Sequence, residues 1–280
     1  MLNNIRFFFY TNESGFALGE LCVKQFFKHN KREGLKVSLV SNKIPDVELQ
    51  FPGKVDYLNG NTEYRENGYH FAQTMLNVLS TIDEKYIFFF CDDYFHIRET
   101  KYDDLEKVLQ MMDCDNIDFY GLDDIGADHV VTNYQKYTSD CNIEYRDNIY
   151  VRDNTYRHLF SVQACIWKRE SLIKLLEEYN DISLHNLDDT LPSIRENTTF
   201  KSICNNLYSC FNYVDVETND YYLVAYYEIT RHGVFLIPEN GQPLLKQAPS
   251  VQFIYNLIKE EGLYYKPEFK KPIFFYENED

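Results

Sequence analysis

Two pairs of adjacent carboxylates are the residues of this sequence best suited to chemistry on a charged ligand. Asp92-Asp93 follows the apolar run Tyr86-Ile87-Phe88-Phe89-Phe90-Cys91 without a break, and Asp188-Asp189 follows His185-Asn186-Leu187. Hard carboxylate oxygens can hold a divalent cation, which bridges and neutralises phosphate oxygens. An acid pair after a strand can equally open a solvated loop or cap a turn, so the residues alone leave both readings open. Gln163 is an amide in the otherwise apolar stretch from Leu159 to Trp167, where a buried amide must find partners. Arg231 leads the turn Arg231-His232-Gly233 between two apolar segments.

The elements around these residues follow from hydrophobic period. A strand covered on both faces reads as a continuous apolar run, and such strands belong to parallel sheets flanked by helices. Tyr86 to Cys91 fits that pattern. From Gly68 to Ile82 the residues Phe71, Ala72, Met75, Leu76, Val78, Leu79 and Ile82 recur near a 3.6-residue period, which predicts the covering helix. Earlier in the chain a strand is predicted from Ile5 to Tyr10, then the polar turn Thr11-Asn12-Glu13-Ser14-Gly15 and a helix from Phe16 to Lys28. Leu35 to Val40 is a second strand ending at Ser41-Asn42, and Val55 to Leu58 a short third. This alternation predicts an α/β fold with a doubly wound nucleotide-binding half. Ligands of such sheets bind beyond the carboxyl ends of the strands, where Asp92 and Asp93 emerge.

Downstream, a helix is predicted after Asp103, which forms a capping-box-like pair with Glu106, and runs to about Met112. Ile117 to Gly121 reads as a strand. Ala127 to Arg157 is polar and irregular, the pattern of a binding loop or small hairpin subdomain. A helix from Arg169 to Tyr179 precedes the second acid pair. Strands are predicted from Tyr221 to Ile229 and from Val234 to Ile237, and a last helix from Ser250 to about Glu261, closed by Gly262. The aromatic, Pro-punctuated tail from Leu263 to Asp280 is expected to pack on the body or on a second subunit of a homodimer. The chain divides into residues 1–125, the nucleotide-binding half, 126–240, a second half of the same domain, and 241–280, the terminal helix and tail.

Length and charge bound the function classes. The 280 residues suffice for one large α/β domain. A formal net charge of -16, from 44 acidic and 28 basic residues, argues against general nucleic-acid or anionic-membrane binding, since phosphate backbones reward a basic face. A nucleotide ligand remains compatible, because one metal or a few cations supply local positive charge. The seven cysteines show no CxxC or Cys/His metal spacing and are read as reduced thiols, most of them core filler, in a cytoplasmic protein. No signal-like segment or apolar run of the ~20 residues needed to span a bilayer is present, so a soluble protein with no transmembrane segment is expected. Trp167, the single tryptophan, is expected to pack in the core.

The order of elements, the strand end Tyr86-Ile87-Phe88-Phe89-Phe90-Cys91-Asp92-Asp93-Tyr94-Phe95 and the segment Ser161-Val162-Gln163-Ala164-Cys165-Ile166-Trp167-Lys168 before a helix resemble GT-A-fold glycosyltransferases. More narrowly, they resemble the small polysaccharide-type enzymes of bacteria and large DNA viruses. The likeness covers roughly Ile5 to Ile237. It implies a GT-A-like, Rossmann-type, mostly parallel central sheet flanked by helices, with a smaller acceptor-side region. It also implies transfer of one sugar from a nucleotide-diphosphate donor, UDP-sugar first among them, to a glycan or lipid-linked acceptor.

In that family an acidic DXD motif at the end of the central strand holds Mn2+ or Mg2+ against the donor diphosphate. Here the slot reads Cys91-Asp92-Asp93, with cysteine in place of the first acid, and the resemblance implies Asp93 as the metal ligand with Asp92 second. It further implies Tyr10, Thr11 and Asn12, with Asn42, at the base and ribose, and Gln163 at the donor sugar. Asp189, with Asp188 as the near alternative, would be the general base of an inverting reaction, and Arg231 would stand against the leaving diphosphate. Two rivals remain. One is a sugar-nucleotidyltransferase, which needs a basic residue in the turn after the first strand that Thr11 to Gly15 lacks. The other is a non-catalytic nucleotide- or glycan-binding protein on a decayed scaffold.

Overall fold

The computed structural model describes residues 1–63, 70–92, 94–96, 98–122, 135–141, 149–152, 159–160, 164–184, 187, 191–205, 226–228, 230–231 and 234–235, the last from 205 onward by backbone alone. Its elements begin with β1 (Ile5–Thr11), α1 (Phe16–His29), β2 (Lys36–Ser41), β3 (Asp56–Asn59), α2 (Phe71–Leu79) and β4 (Tyr86–Cys91). They continue with β5 (Tyr94–His96), α3 (Tyr102–Cys114), β6 (Phe119–Gly121), β7 (Ile149–Arg152), β8 (Cys165–Lys168) and α4 (Arg169–Glu178). α5 (Pro192–Asn197), β9 (Ser202–Asn205), β10 (Tyr226–Glu228), β11 (Thr230–Arg231) and β12 (Val234–Phe235) complete the described elements.

Eight strands form one sheet in the order β3-β2-β1-β4-β8-β6-β9-β7. β3, β2, β1 and β4 are mutually parallel, and this is the doubly wound half read from the sequence. β8 then enters antiparallel between β4 and β6, β9 pairs parallel with β6, and β7 closes the far edge antiparallel to β9. Six of the eight strands therefore run the same way, a mixed but mostly parallel sheet.

The two aromatic strands at the centre show why the sheet is covered twice. Phe7, Phe8 and Phe9 of β1 are fully buried, as are Ile87, Phe88 and Phe90 of β4. Their register aligns Phe7 with Phe88, Phe8 with Phe89 and Phe9 with Phe90. Because side chains alternate faces along a strand, Phe7, Phe9, Phe88 and Phe90 join one core with Phe26 of α1 and with Leu105, Val108 and Met112 of α3. Phe8, Tyr10, Ile87 and Phe89 join the other, with Phe71 and Met75 of α2 and Leu172 and Leu175 of α4. The result is a helix–sheet–helix sandwich with a core on each face. Burial of each phenyl ring contributes roughly 2 kcal/mol. Trp167 packs against Phe119 and Phe160, with ring centroids 4.7 and 4.9 Å away.

Two expectations change. The N-cap of α3 is Lys101, with no side-chain cap, and Asp103 sits inside the first turn, so the capping box with Glu106 does not form. Helix α5 starts with Leu191 as N-cap and Pro192 at its first position. Finally, the expectation that every cysteine is a reduced thiol fails at Cys114 and Cys141, which form a disulfide across 27 residues of sequence. Such a pair, brought together by the end of α3 and a distant loop, leaves no spacing signal. Cys22, Cys165 and Cys204 are buried thiols, the core filler expected. Most of the 127–157 excursion and everything beyond residue 235 lie outside the described residues.

Candidate functional site

The carboxyl edge of the parallel half is assembled by register. Tyr10 pairs with Cys91 and Thr11 with Ser41, so β1, β2 and β4 end level with one another and Asp92 emerges one position past the sheet. There the Thr11 hydroxyl, 2% exposed, donates to Asp92 Oδ2 at 2.6 Å. The amino end of α1 presses on the same pair. A Cβ at Gly15 would lie 2.7 Å from Asp92 Oδ2 and 2.8 Å from Thr11 Oγ1, so only glycine allows this approach. Gly19, one turn on, leaves room in the same way for Leu39 and the Thr11 methyl. Helix α1 has neither a side-chain cap nor an acidic residue in its first turn. Asp92, set against that end, supplies the negative charge the helix dipole favours.

The turn after β1 is shaped by two asparagines. Asn12 Oδ1 accepts from Gly15 N at 2.8 Å and from the Ser14 hydroxyl at 2.6 Å, which folds Glu13–Gly15 into a 3-10 turn. Asn42 is fully buried and uses both ends of its amide: Oδ1 accepts from Glu13 N at 2.8 Å, and Nδ2 donates to Thr62 O at 3.1 Å. The turn is thereby tied to the loop after β3, itself fixed by a 2.6 Å hydrogen bond between the hydroxyls of Thr62 and Thr74. Tyr10 is buried, its ring edge-on to Phe71 at 5.1 Å and stacked on Phe89 at 6.0 Å. Burial first, then the neighbouring Cys91 and Asp92, pushes its phenol well above the usual tyrosine range.

Of the residues expected at the site, the structure thus brings Tyr10, Thr11, Asn12, Asn42 and Asp92 together at one sheet edge. Thr11 and Asn42 direct their polar atoms inward, to Asp92 and to the two loops, and so shape this edge from within. Asp93, Gln163, Asp188 and Asp189 lie outside the described residues. Arg231 is described only as part of the β11–β12 pair, opposite Val234.

Sequence reasoning missed Lys43. Its Nζ lies 3.7 Å from Glu13 Oε1, so a cation from the end of β2 stands beside the turn after β1. The signal was its place directly after Asn42. As to a metal, Mg2+ is commonly held by one or two carboxylates together with phosphate oxygens and waters, and the half-buried Asp92, oriented by Thr11, fits such a donor set. Cys114, Asp115 and Cys141, the one grouping of three ligand-type side chains among the described residues, belong to a different place. Their neighbour Asp113 accepts from the hydroxyl of Tyr86, the first residue of β4, which puts them at the opposite edge of the sheet.

No protein-family model and no curated protein sequence matches this chain. Solved structures do. An active-site mutant of LgtC, a galactosyltransferase, superposes with a TM-score of 0.50 at 11% identity, covering 91% of this chain and 95% of that one. Residues 1–349 of TarS from S. aureus, in complex with UDP, match with a TM-score of 0.43 at 14% identity over 74% of this chain. The chain spans 60% of that structure. The 4-diphosphocytidyl-2C-methyl-D-erythritol synthase of Anaerococcus prevotii gives 0.45 at 10% identity, covering 91% and 96%. At these identities the likeness is one of fold, and the fold is GT-A-like. Among the described residues, no helix is long and apolar enough to cross a membrane.

Proposed function

We propose that this chain is a GT-A-type glycosyltransferase that moves one sugar from a nucleotide-diphosphate donor, a UDP-sugar, to a glycan or lipid-linked acceptor with inversion. The observation that supports it best is the convergence of Thr11, Asn12, Asn42 and Asp92 at the carboxyl edge of β1, β2 and β4, where doubly wound sheets bind nucleotides.

In this reading the turn Asn12–Gly15 receives the base and ribose, and Asp92, held by Thr11, lies toward the diphosphate. Asp93 and Asp92 would hold Mn2+ or Mg2+, which when bound neutralises the diphosphate oxygens. Asp189, with Asp188 beside it, takes the proton of the acceptor hydroxyl as that oxygen bonds to the anomeric carbon. The bond from that carbon to the diphosphate oxygen breaks on the opposite face, Gln163 orients the sugar, and Arg231 stabilises the leaving diphosphate.

Titration of UDP, GDP, CMP and dTDP by calorimetry, each with Mn2+ and with EDTA, tests the binding half. Asp189→Asn tests the chemistry: transfer should be abolished with donor binding kept. A fully active variant removes the base assignment, and wild-type protein that neither transfers nor hydrolyses any donor is a binding protein instead.

Lys43 supports a second reading. A sugar-nucleotidyltransferase needs a basic residue in the turn after β1; that turn has none of its own, but Lys43, two residues past β2, sets its Nζ 3.7 Å from Glu13 Oε1 beside it. Release of pyrophosphate from a nucleoside triphosphate, rather than of nucleoside diphosphate from a sugar donor, would select it.

A further inference from the structure

At the sheet edge opposite the candidate site, the last residue of α3 and a loop from the far half of the chain meet around one carboxylate. Cys114 ends α3 and is exposed; Cys141 is half-buried; their Cα atoms are 6.4 Å apart, within the span of a disulfide. Asp115, between them in space, accepts hydrogen bonds at Oδ2 from the hydroxyls of Tyr137 and of Ser139, the latter at 2.6 Å. Its Oδ1 lies 3.1 Å from Cys141 Sγ, and Ser139 Oγ accepts from Cys141 N at 3.1 Å. The same loop runs along the edge strand of the sheet, with Tyr137 N donating to Ile149 O at 2.8 Å and Val151 N to Gln135 O at 2.9 Å. The disulfide therefore fastens α3 to the loop that borders β7.

We propose that Cys114–Cys141 is a reversible redox latch, opened and closed by small thiols of the glutathione class, rather than a permanent crosslink. Three features support reversibility. Cys114 is an exposed residue at the end of α3, on the side from which an external thiolate would approach. The contact from Asp115 Oδ1 to Cys141 Sγ becomes an S–H···O bond only when that sulfur carries a proton, so the carboxylate stabilises the reduced form and makes the disulfide easier to reduce. Asp115 bonds Tyr137 and Ser139 without using the sulfurs, so opening the disulfide loosens the loop while leaving the two thiols tethered near one another, able to close again.

The exchange balances as follows. A thiolate attacks Cys114 Sγ and the S–S bond breaks. Cys141 leaves as a thiolate and takes a proton beside Asp115. A second external thiolate then attacks the external sulfur of the mixed disulfide, freeing Cys114 and producing the oxidised dimer of the small thiol. Two electrons enter the protein. Among the described residues this is the one disulfide, and the four other described cysteines are thiols.

The test equilibrates the full chain in glutathione buffers from fully reduced to fully oxidised, quenches in acid, alkylates, and counts labelled Cys114 and Cys141 by peptide mass. The expected result is coupled labelling of both residues with a midpoint inside the series, and slower amide exchange over 135–141 at the oxidised end. In Cys114→Ser the coupled step should vanish, Cys141 carrying either the label or one glutathione and never a bond within the chain. A bond that persists at the most reducing ratio marks a permanent crosslink and overturns the proposal. So do two thiols at the most oxidising ratio, or amide exchange that does not change. One Zn2+ retained by the reduced chain and lost in Cys114→Ser would make the cluster a metal site and overturn it equally.

Discussion

Thr11 and Asp92 lie 81 residues apart in sequence and share a 2.6 Å hydrogen bond across the seam between β1 and β4. The bond is charge-assisted and enclosed on one side by Gly15. It couples the turn on which a nucleotide would rest to the carboxylate that would face its phosphates.

Replacing Thr11 with valine keeps the shape and deletes the donor. Asp92 is half-buried and can regain some hydration, so a modest stability loss of about 1 kcal/mol is expected. Donor binding should weaken about tenfold, because the carboxylate is no longer held, and Thr11→Ser should restore it. Calorimetric titration of UDP with Mn2+ reads the effect; equal affinity for the valine variant would remove the positioning role.

Gly15→Ala drives a methyl against Asp92 Oδ2 and Thr11 Oγ1 at the distances given above. Overpacking of this kind costs about 1–3 kcal/mol. Since one of the two obstructing atoms belongs to Thr11, combining Gly15→Ala with Thr11→Ala should cost less than the two changes summed. A urea denaturation cycle over the four proteins measures the difference, and strict additivity would contradict the shared contact.

Glu84 sits at the amino edge of the sheet, where Arg6 holds it through two bonds, of 2.8 and 3.1 Å, and Lys36 through one of 2.5 Å. Burial alone would raise its pKa; the hydrogen bonds from Arg6 and Lys36 outweigh it and hold the carboxyl at about 2. The unfolded carboxyl titrates near 4.5, so the stabilisation is complete above that pH and is lost as pH falls toward 2. Its size is on the order of 3 kcal/mol. The stability gap between wild type and Glu84→Gln, followed by urea melts, should be full at pH 7 and close between pH 4.5 and 2.

His96 presents the opposite chemistry with the same sign. It is fully buried among the rings of Phe9, Phe26 and Phe90, and among the described residues neither ring nitrogen has a hydrogen-bond partner. Burial first, then the nearby His29, lowers its pKa from 6.5 to about 3. Between those values the unfolded chain binds a proton that the folded chain refuses, so stability falls as pH falls, by ~1.4 kcal/mol per pH unit. His96→Leu should flatten that slope by one proton between pH 6 and pH 4; an unchanged slope would show that the imidazole titrates normally.

Sequence reasoning located the elements better than their partners. Tyr86–Cys91 was legible because a strand buried on both faces has no polar alternation, and α1, α2 and α4 were legible from their period. The place of β8 was not, since a four-residue apolar strand says nothing about which edge it joins or in which direction. Asn42, expected at the base and ribose, also spends both ends of its amide on Glu13 N and Thr62 O, a link between two loops that no sequence pattern marks. His96 carried no signal, because a histidine followed by Ile97 and Arg98 at the end of an aromatic run looks like a strand leaving the core. The capping pair Asp103 and Glu106 had the right spacing two positions too late.

The insertion of β8 between β4 and β6 sets an order on synthesis. As the chain leaves the ribosome, β4 finds its β1 neighbour already made, yet its other edge waits for a strand that begins only at Cys165, more than 70 residues later. For that interval a phenylalanine-rich edge is open to any strand that meets it, the condition under which nascent α/β chains misassemble. The strand that ends the exposure carries Trp167, the sole tryptophan, so indole fluorescence reports the moment the edge is sealed.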